Sequence, residues 1–206
     1  MIVTAAHVLI NADISEISNQ SFRENLKLAN NHFFDPKVVC ISDSYRPKAT
    51  SSGSDYAFIF GKSIGRPLPP LKLSNKSEVA NVVEFSGHTP NVIPTPVLTK
   101  IGTSIFVRAP LWTGASGSLA FDNFGNVLGV FVASTKFDNT RIGIVEALKR
   151  NEFLTKGSLD ASKLVSNHKC FSYDLNRFLS VSDIEEWNNL VFELDSDETK
   201  RVSSVY

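Results

Sequence analysis

Across 206 residues, 21 Lys and Arg balance 21 Asp and Glu, so no net field draws in DNA, RNA or an anionic membrane surface. A chain of this length buries roughly 70 % of the surface its unfolded form exposes, enough for one two-lobed domain or two small ones. Two cysteines, Cys40 and Cys170, lie far apart in apolar or mixed runs; this speaks against a disulfide-stapled scaffold and against a zinc site, and both are expected as free thiols.

In chain order, "VTAAHVL" at 3–9 comes first, a strand-like run that ends in two alanines and His7. Residues 11–34 are polar with scattered apolar positions and accommodate a short helix. Short runs rich in Val, Ile and Phe then recur: "KVVCIS" (37–42), "DYAFIF" (55–60), "VANVVEFSG" (79–87), "IPTPVLTKI" (93–101), "SIFVR" (104–108), "NVLGVFVAS" (126–134) and "RIGIVEA" (141–147). Gly, Pro, Asn and Ser separate them, the punctuation of antiparallel β-structure. "DNFG" at 122–125 predicts a tight hairpin, and the prolines of "LPPLKLSNKSE" (68–78) predict an extended connector between a front and a back lobe. The longest apolar runs, such as "VLGVFVA" at 127–133, are too short to span a bilayer, and the first residues lack the basic-then-apolar order of an export signal. The expectation is a cytoplasmic or otherwise intracellular protein, viral ones included. Near the other end, "SVSDIEEWNNLVFEL" (180–194) places Ile184, Trp187, Val191 and Leu194 on one stripe, with Ser182 and Glu185 set as a capping box, and predicts an amphipathic helix.

Nucleophilic serine chemistry needs a hydroxyl, a base, an acid to orient that base, and donors for the oxyanion. "WTGASGSLAF" (112–121) supplies Ser116, bracketed by small residues, with the amides of Gly114 and Ser116 as candidate oxyanion donors. The α/β-hydrolase elbow wants glycine two residues to either side, and position 118 is Ser. A phosphate-loop reading of "GKS" (61–63) fails because its first glycine falls at Tyr56, and "SNHK" (166–169) matches a serine–lysine spacing by chance.

The order His7, Asp55, Ser116 remains, and with it three local contexts: "VTAAH", "SDYAFIF" and "TGASGSLAFDNFGNVLGVFVAS". Together these resemble the histidine, aspartate and serine segments of the trypsin-like serine proteases, particularly their disulfide-poor intracellular, bacterial and viral branches. The resemblance covers roughly residues 1–148. It implies an all-β fold of two six-stranded antiparallel barrels of chymotrypsin type with the active site between them. The implied lobes are 1–72, carrying His7 and Asp55, and 73–150, carrying Ser116, followed by a C-terminal extension (151–206) with a helix. It further implies a peptidase with His7 as general base, Asp55 as its orienting acid and Ser116 as nucleophile, acting on protein or peptide without a metal or other cofactor. The alanines before His7 are expected to keep the wall beside the imidazole small.

Three departures from the family pattern carry expectations of their own. Members selective for basic side chains carry an aspartate six residues before the serine; here Pro110 stands there, which points to an apolar or small side chain at the cleaved position. Val132, Ala133 and Ser134 would edge that pocket and bind substrate as an added strand. Members also have two strands before the one ending at the histidine, whereas this sequence starts six residues ahead of His7. The first barrel is therefore expected to be incomplete, its edge covered by the extension, by a partner chain or by a missing N-terminal segment. Finally, Ala115 replaces the Asp or Asn common before the serine and offers no carboxylate for zymogen-type maturation. The alternative function is a non-catalytic relative that kept the cleft as a peptide-binding or scaffold surface.

Overall fold

The computed structural model describes residues 1–10, 13–29, 34–45, 54–63, 72–74, 76–86, 89–108, 115–149 and 161–183. It is mostly β, with one closed six-stranded antiparallel barrel and a second, five-stranded antiparallel sheet.

The front sheet runs β1 (Ile2–Thr4), β3 (Ala57–Ser63), β2 (Phe34–Ser42), β10 (His168–Ser172), β11 (Arg177–Phe178) in spatial order. Strands buried on both faces lose the apolar–polar alternation of a half-exposed sheet, which is why "KVVCIS" and "YAFIF" read as continuous apolar runs. Their side chains divide by parity. Val39, Ile41, Ala57 and Ile59 join Ile10, Ile17 and Phe171 in an outer core, against which Phe22 and Leu26 of the helix α2 (Gln20–Ala29) pack. A 3-10 turn, Ile14–Ser18, leads into α2 and is closed by a capping box in which Asp13 accepts from Ser15 N (2.9 Å) and Glu16 from Asp13 N (3.0 Å). Val38, Cys40, Tyr56, Phe58 and Phe60 face the other way and meet Val127, Val130 and Leu148 of the back lobe. That second cluster joins the two lobes.

The barrel closes in the order β4 (Val79–Ser86), β5 (Thr89–Ile101), β6 (Ser104–Arg108), β9 (Thr140–Ala147), β8 (Val127–Phe137), β7 (Leu119–Phe121). β2, β3, β4, β5, β6, β8 and β9 coincide with the seven runs anticipated from sequence, whereas β10 and β11 do not correspond to any of them, and β7–β8 turns at "DNFG". There the Asp122 carboxylate accepts from Phe124 N (2.9 Å), Asn126 N (2.8 Å) and Asn126 Nδ2 (2.9 Å), while Gly125 takes φ +79°. A buried carboxylate so saturated with donors stays ionised: desolvation works against the charge, but the bonds from Asn126, Ser74 and Phe124 outweigh it and hold Asp122 below its ordinary pKa. β8 breaks strict alternation. Val127 and Val130 face the front lobe while Leu128 and Phe131 fill the barrel, made possible by register shifts opposite Ala120/Phe121 and between Phe131 and Ala133. The connector contributes Leu73, bridged to Val127, with Val127 N bonded to Lys72 O (2.7 Å) and Ser74 N to Val127 O (2.8 Å).

The described part of the segment after residue 150 contains both helix and strand. A short helix, α3 (Ala161–Asn167), buries Leu164 and Val165 in the interlobe core, and β10 then adds to the free side of β2. This pairing corrects the expectation of free thiols: Cys40 stands directly opposite Cys170 in the β2–β10 register, their Cα atoms 4.0 Å apart, and the two form a disulfide. A sequence separation of 130 hid a contact that only strand pairing creates. Among the described residues the front lobe is thus an open sheet whose β2 side is covered from within the chain, while β1 is its other edge. Of the predicted helix at 180–194, Val181–Asp183 form a 3-10 turn in which Asp183 accepts from Ser180 N (2.6 Å) and Ser180 Oγ (2.7 Å), and Ser182 Oγ shares a hydrogen with Ser180 Oγ (2.7 Å). Ile184, Glu185, Trp187, Val191 and Leu194 lie outside the described residues. None of the described helices is long and apolar enough to cross a membrane.

His168, opposite Ser42 in that register, is 3 % exposed, with its ring 5.7 Å from the Phe58 ring centroid and 6.0 Å from that of Tyr56. Burial drives its pKa down to about 4, only partly opposed by the bond from Nδ1 to Leu164 O. The unfolded chain therefore binds a proton near pH 6.5 that the folded one refuses until about pH 4. Stability from this group is complete above 6.5 and is lost as pH falls across that window, on the order of 3 kcal/mol in all. Urea midpoints at pH 7 and pH 5 should show this loss in the wild type and a flatter pH dependence in His168→Phe.

Candidate active site

β1 ends at Thr4, and the chain turns through Ala5 into the single helical turn α1 (Ala6–Leu9) that carries His7. The alanines are small for a packing reason. Both are 0 % exposed, Ala5 in the interlobe core and Ala6 in the outer core, so they do not form an open wall beside the imidazole. Asp55 lies two residues before β3, the neighbour of β1, and this antiparallel pairing (Thr4 with Ala57) brings the acid to the histidine. One carboxylate oxygen accepts from the His7 backbone amide at 3.0 Å and the other from His7 Nδ1 at 2.7 Å. Two bonds from one carboxylate to backbone and ring fix the imidazole's orientation and its tautomer, leaving Nε2 as the free basic nitrogen. The hydrogen bond that His7 donates to Asp55 raises the His7 pKa above its ordinary 6.5, against desolvation, with the charge of Asp55 adding to the rise.

Ser116 occupies the corner of a turn closed by Ser118 N to Ala115 O (3.0 Å), with Gly117 following at φ +86°. A left-handed residue at the third position of such a turn is strongly biased to glycine. Two bonds, Gly117 N to Phe131 O and Phe131 N to Ser118 O, each 2.8 Å, continue the β7–β8 ladder and seat the turn on β8. Gly117 has a second reason to be glycine. A Cβ there would collide with Thr4 Oγ1 and would lie 3.4 Å from Val8 Cγ2 and 3.5 Å from Ala5 N. The serine turn of the barrel therefore rests directly on the residues either side of His7. Ser116 itself is exposed.

The other anticipated residues distribute unevenly. Gly114 and Pro110 lie outside the described residues. Val132 sits at the β8 bulge and packs against the interlobe core; Ala133 is half-buried and Ser134 exposed, so this strand leaves the serine turn and runs outward. "GKS" at 61–63 is the end of β3. Sequence reasoning missed a set of hydroxyls behind Asp55. Ser54 N donates to Ser44 Oγ (3.2 Å), and Ser44 Oγ shares a hydrogen with Ser42 Oγ (2.8 Å). Serines are common in this chain and nothing in their spacing distinguished these three. Tyr45, 5 % exposed, feels the same carboxylate: burial first, then Asp55 and Glu16, push its phenol above the ordinary value.

No protein-family model and no curated protein matches this chain. Among solved structures, a serine protease of a human pathogenic astrovirus is similar, with 21 % identity and a TM-score of 0.45, over 74 % of this chain and 80 % of that one.

Two expectations follow from the geometry. His7, followed by NMR, should titrate above 6.5 in the wild type and fall back in Asp55→Asn. Because the folded pKa is raised, the pair's contribution to stability is full below 6.5 and is lost as pH rises through the folded value. Gly117→Ala adds a clash to a left-handed strain of about 1–3 kcal/mol and should lower the thermal midpoint measurably. A variant as stable as the wild type would mean that the serine turn does not rest on Thr4.

Proposed function

We propose that this chain is a serine endopeptidase in which Ser116 is the nucleophile, His7 the general base and then acid, and Asp55 the group that orients His7. The observation that carries the reading is the double hydrogen bond of Asp55 to His7, on a segment against which the turn bearing Ser116 is packed. The sequence-order resemblance to trypsin-like serine proteases supports the same roles, as does a closed six-stranded barrel behind the serine.

In this mechanism His7 Nε2 takes the proton of Ser116 as its oxygen adds to a peptide carbonyl. The carbonyl oxygen becomes an oxyanion, received by the amides of Gly114 and Ser116, and Asp55 stabilises the imidazolium. Collapse breaks the C–N bond, the amine leaves with the proton from His7, and water repeats the sequence to release the acyl group. Substrate would lie along β8 at Val132, Ala133 and Ser134 as an added antiparallel strand, with Pro110 at the base of a pocket for an apolar or small side chain. The open front sheet favours a second reading, a peptide-binding module without turnover, since a less enclosed lobe holds its catalytic groups less rigidly.

A fluorophosphonate probe separates the two. Labelling that disappears in Ser116→Ala, and that falls by about 10⁴-fold in Asp55→Asn, supports the peptidase. Peptide binding with no Ser116-dependent labelling between about pH 6 and 9 supports the binding module. For an active enzyme, kcat/KM should fall on the acid side with a midpoint above 6.5, because protonated His7 cannot accept the serine proton and Asp55 has raised the pH at which that happens.

A further inference from the structure

We propose that Ser44 is a positioning residue for Asp55, and that through it the chain after residue 160 helps to hold the catalytic acid; this rests on the peptidase reading above. Asp55 has no strand of its own: β3 begins two residues later, at Ala57. What fixes its backbone on the N-terminal side is the amide of Ser54, which donates to Ser44 Oγ at 3.2 Å. Ser54 is 5 % exposed, so its amide must find a partner in the protein or leave a costly unsatisfied donor.

Ser44 in turn is held from two sides. Its amide donates to Ser42 Oγ at 3.3 Å, the two hydroxyls are 2.8 Å apart, and Tyr45 N donates to Ser42 O at 3.0 Å, so residues 42–45 form a tight turn at the end of β2. Ser42, 2 % exposed, pairs with His168 across the β2–β10 ladder, and Asp43 N donates to Asn167 O at 3.0 Å. The turn that grips Ser54 is thus itself gripped by the junction of α3 and β10. A continuous path of hydrogen bonds and covalent neighbours runs from Asn167 and His168 through Ser42 and Ser44 to Ser54, Asp55 and His7. Among the described residues, His7 meets the Asp55 carboxylate by direct hydrogen bond, and Tyr45 and Glu146 interact with it through space.

Substituting Ser44→Ala removes the acceptor for Ser54 N and the partner of Ser42 Oγ without adding bulk at an exposed position. The expected result is a loss in kcat/KM of about five- to tenfold, the worth of one modest hydrogen bond felt at the acid. The His7 pKa, read by NMR in the same variant, should move down toward 6.5 as Asp55 loosens, and the acid limb of the pH–rate profile should move with it. Ser44→Thr, which keeps the hydroxyl, should restore both. A His7 pKa identical in wild type and Ser44→Ala overturns the positioning role whether or not the chain is catalytic. A wild type that shows no Ser116-dependent labelling, with a His7 pKa that still responds to Ser44→Ala, overturns the peptidase reading and leaves the positioning role intact.

Discussion

The backbone of Gly117 lies against Thr4 and Ala5 with no space for a methyl group, and the relation between the two lobes at the candidate site depends on that closeness. Ser116 belongs to the barrel and His7 to the front sheet, so nothing in either lobe alone sets their distance. The interlobe core does. Val127, Val130 and Leu148 from the back meet Val3, Ala5, Phe58 and Phe60 from the front, and this apolar contact presses the serine turn onto the histidine segment. Glycine at 117 and alanine at 5 are small residues, and the backbone of the one lies against that of the other.

The front sheet shows how a lobe with few strands of its own is stabilised. β10 and β11 come from residues 168–178; β10 pairs with β2 and β11 with β10, and the first of these pairings supplies backbone partners that sequence neighbours do not. The same segment contributes Leu164 and Val165 to the interlobe core and Cys170 to the disulfide with Cys40. It therefore acts on the site at two removes, by completing the sheet that carries Asp55 and by fixing the turn at 42–45. A segment that is distant in sequence becomes part of the support of Asp55.

The strand pattern was legible because each run is defined locally: β-branched and aromatic residues alternate or cluster between Gly, Pro and Asn, and the pleat translates that directly into burial. The hairpin at Asp122–Gly125 was legible for a similar reason, since its side-chain bonds span only four residues. The partnership of His7 and Asp55 was anticipated only through the order of three motifs; 48 positions separate them and no local rule connects them. The roles of Ser42, Ser44 and Ser54 were invisible, because a serine that bonds a distant amide has the same local signature as one in solvent. The Cys40–Cys170 pair was misread on the same ground of distance.

What the sequence determined by itself was the inventory and the local geometry: strands, turns, a serine between small residues, a histidine after two alanines. Those follow from φ/ψ preference and the two-residue period of a strand, which act over a few neighbours. Only the tertiary structure decided which strands lie side by side, and hence that the strand at residue 170 extends the sheet begun at residue 2 and that the Asp55 carboxylate bonds both the backbone amide and Nδ1 of His7. Strand pairing is a contest among all segments for backbone partners and apolar cover, and its outcome belongs to the whole chain rather than to any part of it.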